Sequence, residues 1–507
     1  MTRLTDISPV RLKMTRINRY FTGAAENGKD KFHPPYEPHP RRDAARVREA
    51  WFLCYSFVMS VSQEIIDRTF HSAEGAAAYK AVEILLDAGY EAWWVGGCVR
   101  DMLLGEIPKD IDIATSATPQ EIIGLFPKND DIAAALGAVI IAHEGHTFEV
   151  TTFREEAEAG NGRQPESVVF TTRQRDAQRR DITMNALYWH PISSELYDPF
   201  GGEHDLTERL VRFIGDPATR IEEDALRLLR VVRFRALVAG QYHPDTFQAL
   251  HAKAKNIEVL SGSRAFQELE KMLLGPHPEI AFEDLWETDI LEYLLPELHK
   301  CKGVAQPADY HKEGDVWNHT MMAIAACTED HGADVRWATL FHDVGKAETF
   351  SLKERIRFDE HAPVSARIAG AMLQRLQCTK KRIQKIQWIV GHHMMMGSFA
   401  DMNEERKSHW YYHPWFTELL QLFWLDIGGT EPRDYELYER IVRDWSTFLD
   451  SHPLPPKPLL KGEEVITLLG IQPGEKVGEV MKALYDAQVR KEITTKKEAE
   501  TYLQTHF

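Results

Sequence analysis

The chain has 507 residues, 43% of them hydrophobic, and a formal net charge of -17 with a sequence pI near 5.7. This length is enough for roughly three or four domains with real cores. An excess of negative charge excludes general attraction to a polyanion, so any binding of RNA has to depend on local basic patches.

Two further observations concern compartment. The longest apolar run, Trp51 to Val61, is too short to span a bilayer and too far from the start for an ordinary signal peptide. The five cysteines include no Cys-x-x-Cys pair, a pattern that predicts reduced thiols. We therefore expect a cytoplasmic protein without a membrane partner.

The chain begins with a basic, proline-bearing stretch that shows no sustained periodicity. We interpret residues 1–58 as a disordered extension or a start-site artefact. The folded region is expected to begin near Met59, with Ala76 to Ala88 as its first helix.

Two aspartates one residue apart, Asp110 and Asp112, are the most informative feature of the sequence. If they lie on a strand, both carboxylates point to one face and can bind the same divalent ions. The apolar run from Ala92 to Val95 upstream predicts a buried strand. It ends at Gly96 and Gly97, where a phosphate can approach bare backbone. The arrangement indicates nucleotidyl transfer.

Paired carboxylates have a clear chemical purpose in such a reaction. Two metal ions roughly 3.5 to 4 Å apart stabilise the attacking and the leaving oxygen of an in-line displacement. Mg²⁺ prefers carboxylate and phosphate oxygens. An isolated Asp-x-Asp is more often a turn or a helix cap, so the glycine pair before it is what favours the metal site.

Several motifs in order resemble class II tRNA nucleotidyltransferases and bacterial poly(A) polymerases, of the DNA polymerase beta superfamily. The resemblance covers roughly residues 75 to 505. The blocks that carry it are Gly96 to Thr115, Phe148-Glu149-Val150-Thr151-Thr152-Phe153-Arg154, Arg179-Arg180-Asp181-Ile182-Thr183-Met184-Asn185-Ala186-Leu187, Asp198-Pro199-Phe200-Gly201-Gly202 and Arg212 to Arg227.

The resemblance implies an α+β protein, with a mixed α/β nucleotidyltransferase head and a predominantly α-helical neck, body and tail. The expected boundaries are 75–202 for the head, 203–300 for a neck with a nucleotide-selecting helix, 305–430 for an HD domain, and 431–507 for a linker and a helical tRNA-binding tail.

The resemblance also implies roles for individual residues. Asp110 and Asp112 would hold Mg²⁺, with Glu149 as an assisting third carboxylate, although Glu149 is equally typical of a solvent-facing strand. The second block would supply arginines for the phosphates, although paired arginines are often a solvated surface. The implied nucleotide-binding residues are Gly96, Gly97, Arg100, Arg180, Asp181, Asn185, Asp224, Arg227, Arg230 and Arg233.

Asp224 and Arg227 are the candidate residues for recognition of the incoming base. An apolar-periodic pattern predicts that they share one helix face at positions i and i+3. An acceptor beside a donor fork complements cytosine and adenine, each of which has an exocyclic amine next to an acceptor nitrogen. Uracil and guanine would leave buried polar groups unpaired. The alternative is a surface salt bridge worth a few tenths of a kcal/mol. The resemblance implies that this pair selects the incoming nucleotide.

Clustered basic residues are the candidates for RNA contact. Arg227, Arg230, Arg233 and Arg235 form a predicted helical stripe, which guides phosphates or merely solubilises a helix. The other candidate patches are Arg173, Arg175, Arg179 and Arg180, and Lys380-Lys381-Arg382 with Lys385. In the neck block around Arg264, Ser263 stands where the family commonly has Glu, which puts a local salt bridge in doubt.

A second constellation resembles the HD phosphohydrolase superfamily. It comprises His311, His319, the run Phe341-His342-Asp343-Val344-Gly345-Lys346, His361, His392-His393 and Asp426. The resemblance implies a metal held by His319, His342, Asp343 and Asp426, with Lys346 facing a phosphate. Imidazole and carboxylate ligands suit a transition metal such as Mn²⁺, Ni²⁺ or Co²⁺. A second metal on His361 with His392 or His393 stays open.

The last segment begins with the proline-rich linker His452 to Pro458. The unit from Leu460 to Ala499 resembles the family tail that holds the tRNA elbow, and its alternative is a generic helical cap. We expect an enzyme that adds CCA from CTP and ATP to tRNA 3′ ends and releases pyrophosphate, with HD phosphohydrolase activity for 3′-end repair. The alternatives are a poly(A) polymerase or a CC- or A-adding enzyme, an HD phosphohydrolase with a degenerate RNA-binding head, and a non-catalytic RNA chaperone. The oligomeric state stays open.

Overall fold

The computed structural model describes residues 61–130, 136–156, 168–308, 311–352, 354–452 and 457–507. The predictions for residues 1–58, for a start near Met59 and for the linker prolines at 453, 455 and 456 lie outside the described residues. The described chain divides into two units. The larger unit comprises 61–401 with 413–438, and the smaller unit comprises 402–412 with 439–507.

The strands lie mainly in the first part of the larger unit. They are β1 Ala92–Val95, β2 Ile113–Thr115, β3 Asn129–Asp130, β4 Ala138–His143, β5 His146–Thr152, β6 Arg154–Glu156, β7 Val168–Phe170, β8 Tyr188–His190, β9 Glu195–Tyr197, β10 Leu210–Val211, β11 Gln241–Tyr242, β12 Phe350–Leu352 and β13 Ile356–Phe358. A seven-stranded sheet has the order β3-β4-β5-β2-β1-β8-β9. The β2–β5 pair is parallel and the other pairs of this sheet are antiparallel, so the sheet is mixed.

Helices accompany the sheet and make up most of the remaining chain. As far as His299 they are α1 Gln63–His71, α2 Ala73–Asp87, α3 Gly97–Leu103, α4 Pro119–Leu125, α5 Arg173–Gln178, α6 Gly202–Thr207, α7 Pro217–Glu223, α8 Leu226–Val238, α9 Pro244–Ala252, α10 Gly262–Leu274, α11 Pro278–Glu287, α12 Ile290–Leu294 and α13 Pro296–His299. Beyond it they are α14 Val316–Ala325, α15 Ala333–Phe341, α16 Lys346–Thr349, α17 His361–Arg375, α18 Lys380–His392, α19 Glu404–Tyr411, α20 Phe416–Gly428, α21 Glu436–Ser451, α22 Gly462–Leu469, α23 Glu475–Val489 and α24 Lys496–His506. Short 3-10 turns span Thr183–Asn185, Ala254–Val259 and His393–Asp401.

The predicted buried strand before the glycine pair is confirmed as β1. All four of its residues are buried, and it pairs on both sides, with Trp94 opposite Ile113 of β2 and Trp189 of β8. A central strand covered on both faces favours a continuous apolar run over alternation. The strand therefore fixes where its C-terminal turn, at Gly96, leaves the sheet.

The prediction that Ala76 to Ala88 is the first helix was wrong in two respects. That segment belongs to α2, which begins at Ala73 because the Ser72 side chain accepts a hydrogen bond from Gly75 N at 2.9 Å. Another helix, α1, precedes it at Gln63–His71. The small side chains of α2 hid its first turn, since an N-cap serine is the only strong signal there.

The predicted α+β fold class, with a mixed head and a helical remainder, is confirmed. Buried apolar residues of the smaller unit form a core of their own that includes Leu460, Val465, Val480, Leu484 and Leu503. Among the helices of the described residues, none is both long and apolar enough to cross a membrane.

Gly202 begins α6 at a point of close backbone approach. A Cβ on Gly202 would lie 2.2 Å from the carbonyl oxygen of Thr183, whereas a Cβ on Gly124, within α4, would meet nothing within 4 Å. We expect Gly202→Ala to destabilise the protein by about 1–3 kcal/mol, the range for overpacking a rigid contact.

Gly124→Ala is the matched control, and it should leave stability unchanged or raise it by up to ~1 kcal/mol because alanine favours a helix interior. Urea unfolding followed by circular dichroism measures both. Equal midpoints for the two variants would contradict the assigned contact.

Candidate active site and candidate metal centre

Asp110 and Asp112 lie just before β2 rather than on it. The chain bends at Lys109 and Asp110, and β2 begins only at Ile113, so the prediction that both aspartates sit on a strand was wrong. The carbonyl of Asp112 nevertheless accepts a hydrogen bond from Val95 N at 3.0 Å. This bond joins the acidic segment to the end of β1, beside the glycine turn, and both aspartates are exposed.

Glu149 is next to Asp112 on the neighbouring strand. β5 runs parallel to β2 with Val150 opposite Ile113, which places Glu149 alongside the residue before the strand. Desolvation of the carboxylate, together with the charges of Glu149 and Asp110, raises the pKa of Asp112 to about 6, while Arg180 opposes the shift. A cation at this place would relieve the repulsion between the carboxylates.

Gly96 and Arg180 meet at the turn after β1. Gly96 has φ +75°, and a Cβ on it would lie 3.3 Å from Arg180 Nη1. Glycine thus leaves room for a backbone turn directly beneath a guanidinium. Gly97 starts α3, and a Cβ on it would lie 3.6 Å from Arg100 Nη2.

Arg180 is held from behind by two residues that the sequence reading missed. Its Nε donates to Tyr188 Oη at 3.0 Å and its Nη2 donates to Asp176 Oδ2 at 3.2 Å. Asp176 is 1% exposed and also accepts from Arg179 Nε at 2.8 Å and from Tyr188 Oη at 2.6 Å. Asp176 therefore compensates two arginines. The only signal in the sequence is one aspartate three residues before the arginine pair.

A chain of polar contacts connects four other predicted nucleotide-binding residues. Arg100 Nη1 donates to Asn185 Oδ1 at 2.9 Å, and Asn185 Nδ2 donates to Asp181 Oδ1 at 3.3 Å. Asp181 Oδ2 accepts from Arg230 Nε at 2.8 Å. Although burial opposes ionisation, Arg230 and the other donors lower the pKa of Asp181 to about 2. The chain thereby links α3, the 3-10 turn and α8.

The prediction that Asp224 and Arg227 share one helix was wrong. α7 ends at Glu223, Asp224 is extended with φ -148° and ψ 109°, and α8 begins at Leu226. Asp224 Oδ1 accepts from Leu226 N at 3.0 Å, so this side chain caps the new helix, and a capping residue leaves helical geometry.

The side chains of Asp224 and Arg227 are each bonded to other residues rather than paired as the prediction required. Asp224 Oδ2 accepts from Arg264 Nη2 at 2.8 Å. Arg227 is 5% exposed and donates to the carbonyl of Arg220 at 2.7 Å and to the carboxylate of Glu223. Arg264, next to Ser263, therefore has a carboxylate partner in Asp224.

The predicted basic patches are largely compensated by carboxylates. In the stripe on α8, Arg233 Nε lies 2.7 Å from Glu268 Oε2, and Arg235 Nη1 lies 3.3 Å from Asp284 Oδ1. The patch on α18 is paired in the same way, through Arg382 with Glu270 and Asp334 and through Lys385 with Asp334 and Glu418. The stripe and the α18 patch are thus mainly parts of internal ion-pair networks.

The four residues of the predicted HD motif come together. His319 Nε2 lies 3.1 Å from His342 Nε2 and 3.0 Å from Asp426 Oδ1, and Asp343 Oδ2 lies 3.3 Å from His342 Nε2. Three of them, His319, His342 and Asp426, offer ligand atoms that all lie within 4.8 Å of one another.

A second group shares Asp343 with the first. The other carboxylate oxygen of Asp343, Oδ1, lies 3.4 Å from His361 Nε2 and 3.7 Å from His393 Nε2. These two Nε2 atoms are 3.3 Å apart. His392 does not belong to this group, since its Nδ1 contacts the carbonyl of Trp388 at 2.7 Å and its ring packs on Trp388. The choice between the two adjacent histidines, which the sequence left open, therefore falls on His393.

The imidazoles of both groups are fixed by the backbone. Nδ1 contacts a carbonyl oxygen in each of them, at Gly429 for His319, Thr339 for His342, Phe358 for His361 and Val390 for His393. Such contacts set the tautomer that leaves Nε2 as a metal ligand. Burial opposes the charged form of His342, yet Asp343 and Asp426 raise its pKa to about 10. The carboxylates of the site thus favour a positive charge between them, and the imidazole and carboxylate donors fit divalent transition metals.

Lys346 and Glu313 complete the surroundings of this centre. Lys346 Nζ lies 2.6 Å from Asp343 Oδ2 and donates to Gln306 Oε1 at 2.7 Å. Glu313 Oε1 contacts Nδ1 of His311 at 2.6 Å and of His319 at 3.2 Å. Sequence reasoning missed Glu313 because an isolated glutamate in a loop carries no signal.

Three family models match consecutive parts of the chain. The poly A polymerase head domain matches residues 92–212. The model described as a probable RNA and SrmB-binding site of polymerase A matches 241–302, and the HD domain matches 316–445. Their order is the order predicted from the motifs.

Curated relatives carry a common description. The CCA-adding enzyme of Bacillus pumilus is 40% identical over 290 residues, which cover 56% of this chain and 70% of the relative. The CCA-adding enzyme of Geobacillus thermodenitrificans is 38% identical over 262 residues, 52% of this chain and 61% of the relative. For that relative and a Geobacillus stearothermophilus one, matched over 63% of its length, the chain spans less than two thirds of the relative's length.

A solved structure agrees with these relatives over a longer stretch. The CCA-adding enzyme of Bacillus stearothermophilus in complex with CTP superposes with a TM-score of 0.63 and 27% identity, and covers 85% of this chain and 96% of that one. A Thermotoga maritima CCA-adding enzyme, at 19% identity and a TM-score of 0.54, shares the fold. By motif order, relatives and fold, the chain belongs to the family of CCA-adding enzymes.

Proposed function

We propose that the chain extends tRNA 3′ ends with CCA, using CTP and ATP and releasing pyrophosphate. The observation that carries the proposal is the acidic group Asp110, Asp112 and Glu149 beside the Gly96 turn, with Arg180 above that turn. Carboxylates that share one recess with an arginine are the donor set a nucleoside triphosphate and its cations need. The curated relatives named CCA-adding enzymes favour tRNA and both nucleotides as partners.

Each residue of the head site has a separate role in the proposed reaction. Asp110 and Asp112, with Glu149 assisting, would hold Mg²⁺, which neutralises charge on the attacking and the leaving oxygen. Gly96 and Gly97 let the triphosphate approach the backbone, and Arg180 binds it from above. The tRNA 3′ oxygen forms a bond to the α-phosphorus while the bond from that phosphorus to the bridging oxygen breaks. The electron pair leaves with pyrophosphate.

The chain of polar contacts keeps the nucleotide site in shape. Arg100, Asn185, Asp181 and Arg230 bond in sequence across three elements, so displacement of one side chain shifts the next. Arg233 extends the support through its bond to Glu268. We assign these residues to positioning of the sugar and the α8 surface.

Asp112→Asn should abolish nucleotide addition, a loss of at least about 100-fold, because the site then lacks one of the charges that balance the cations. The measurement is sequencing of the 3′ ends of tRNA lacking CCA after incubation with CTP and ATP, singly and together. The same reaction separates CCA from poly(A), CC or A addition.

Glu106→Gln is the matched control, since Glu106 is exposed in the loop between α3 and β2. It should extend tRNA at the rate of the unmodified protein. Full extension by Asp112→Asn would refute the head assignment, and addition of adenosines alone would make the protein a poly(A) polymerase.

We infer that Asp224 and Arg227 read the incoming base after exchanging partners. In the described structure Arg264 holds Asp224, and Glu223 holds Arg227. Cytosine and adenine each offer a donor beside an acceptor, which satisfies both side chains when those bonds are released. Uracil and guanine leave them unpaired.

Asp224→Ala should therefore lower selection of CTP over UTP by about 10- to 100-fold, since it removes one hydrogen bond to a charged group. Single-nucleotide addition with each of the four triphosphates measures the ratio. Glu222 lies two residues before Asp224 and is an exposed partner of Lys253. Glu222→Gln should therefore leave the ratio unchanged. Unchanged selectivity in Asp224→Ala would place base reading elsewhere.

We propose that the HD centre hydrolyses phosphoesters at damaged RNA 3′ ends. His319, His342, Asp343 and Asp426 would hold a metal such as Mn²⁺, Ni²⁺ or Co²⁺, which lowers the pKa of a water molecule and polarises a phosphoryl oxygen. Lys346, tied to Asp343, supplies a fixed positive charge beside the phosphate. The four cysteines within the described residues form no disulfide, which favours a cytoplasmic location for both activities.

The second group favours a centre with two metals. His361 and His393 lie near Asp343 Oδ1, whereas His342 lies near Asp343 Oδ2. This carboxylate therefore offers one oxygen to each group. A carboxylate between two groups of imidazoles is the arrangement that two-metal phosphoesterases use.

His393→Ala should reduce the transition-metal content from two ions per chain to one and should slow hydrolysis of 2′,3′-cyclic AMP at least tenfold. Metal analysis of the gel-filtered protein after loading with Ni²⁺ in the presence of excess Mg²⁺, which occupies the carboxylates of the head, measures the content. His392→Ala, the adjacent control, should keep both ions. Equal content in the two variants would reject the second metal, and hydrolysis that survives His342→Ala with Asp343→Ala would reject the HD assignment.

A further inference from the structure

A short hairpin stands at the edge of the HD centre. It consists of β12 and β13, and it begins four residues after Lys346 and ends three residues before His361. Its last residue contacts the centre directly, because His361 Nδ1 lies 2.9 Å from the carbonyl oxygen of Phe358. Its first residue follows the short helix α16, in which Lys346 Nζ lies 2.6 Å from Asp343 Oδ2.

One face of this hairpin is entirely apolar. Phe350 is opposite Phe358 and Leu352 is opposite Ile356, while Ser351 is opposite Arg357 on the other face. Opposite residues of an antiparallel pair point to the same side. We call the surface of Phe350, Leu352, Ile356 and Phe358 the apolar face.

The apolar face connects the centre with solvent. At its inner end Lys346 Nζ lies 5.3 Å from the centroid of the Phe358 ring, and Phe350 packs on that ring with centroids 6.0 Å apart. At its outer end Phe350 is 43% and Leu352 70% exposed. A hydrophobic surface thus leads from the phosphate-facing lysine to two uncovered side chains.

We propose that the apolar face binds the terminal nucleoside of an RNA 3′ end whose phosphate lies in the HD centre. The inference rests on the proposed phosphohydrolase function of that centre and names how it recognises its substrate. A base needs a flat apolar surface about the size of one aromatic ring with a neighbouring aliphatic chain, and Phe350 with Leu352 provides this. Hydrolysis would then favour esters that carry a base.

The position and size of the face distinguish this occupant from others. A phosphate beside Lys346 carries its nucleoside on the adjoining oxygen, within reach of Phe358 and Phe350. Two uncovered side chains are far fewer than a stable protein interface of about 800 Å² per partner requires. In the sequence, residues 353–360 carry three basic side chains, Lys353, Arg355 and Arg357, and three acidic ones, Glu354, Asp359 and Glu360, so this segment has no net charge and stacking rather than charge is the recognising interaction.

The test compares two cyclic phosphodiesters that share the same five-membered ring. 2′,3′-Cyclic AMP carries a base and glycerol 1,2-cyclic phosphate carries none. Replacing Phe350→Ser together with Leu352→Ser should raise KM for 2′,3′-cyclic AMP by about 5- to 150-fold, the range for the loss of one stacked base. The kcat for both substrates and KM for the glycerol ester should stay unchanged.

Two further variants separate recognition from misfolding. Phe350→Tyr keeps the ring and should keep KM, and Ser351→Ala, on the opposite face, should do so as well. Equal changes in KM for the two esters, or no change for either, would overturn the proposal. Self-association of the unmodified protein that the double variant loses, with KM unchanged, would assign the face to contact between copies and overturn it too.

A binding measurement keeps this inference distinct from the phosphohydrolase proposal. A short RNA ending in 2-aminopurine with a slowly hydrolysed 3′-phosphorothioate is titrated with the metal-loaded protein, and its fluorescence should be quenched less by the double variant. If the unmodified protein hydrolyses neither ester, the phosphohydrolase proposal fails. Quenching that is independent of Phe350 overturns the base-binding face regardless of hydrolysis.

Discussion

The head site depends on one backbone hydrogen bond, from Val95 N to the carbonyl of Asp112. It joins the end of a fully buried strand to the exposed acidic segment, so the core of the sheet fixes the backbone of Asp112, although this residue precedes β2. The turn at Gly96 leaves the same strand one residue later. The glycine turn and the carboxylates to which we assign phosphate and metal binding are therefore attached to the same buried strand, and such fixed positions are what an in-line displacement needs.

The two proposed metal sites differ in their ligands. In the head, desolvation of the carboxylate, together with the charges of Glu149 and Asp110, raises the pKa of Asp112. In the HD centre, buried imidazoles are fixed through Nδ1, and Lys346 neutralises part of the charge of Asp343. Exposed oxygen ligands suit Mg²⁺, which keeps several waters, whereas a buried set with nitrogen ligands favours transition metals. If both proposals hold, these different ligand sets would keep two metal chemistries separate in one chain.

Much of this architecture follows from local sequence, and the failures have identifiable causes. β1 and its glycine turn were predicted because a short apolar run that stops at Gly96 and Gly97 is typical of a buried strand and the turn after it. The prediction of one helix through Asp224 was wrong because the apolar spacing continues across the break between α7 and α8. The hydrogen bond of the Asp224 side chain to Leu226 N, which accompanies this break, leaves no mark in the spacing. Asp176 and Glu313 contact residues that are near in sequence, but the contacts of Asp176 with Tyr188 and of Glu313 with His319 cross between structural elements, so no spacing rule predicts them. Convergence of His361 and His393 on one oxygen of Asp343 likewise depends on how α17 and α18 pack.

The paired state of the arginines explains how an acidic chain can belong to an RNA-processing family. Arg227, Arg230, Arg233 and Arg235 are each matched by a carboxylate, so α8 does not present a general surface for phosphates. A ligand gains from such a residue only if it replaces the existing partner with an equally good one, because a buried charge left alone is costly. In the proposed exchange, cytosine or adenine gives new partners to both Asp224 and Arg227, and Glu223 keeps its contact with Arg220, whereas an RNA phosphate gives a new partner to the arginine alone. Paired arginines therefore favour selective over general binding, which is the property that addition without a nucleic-acid template requires.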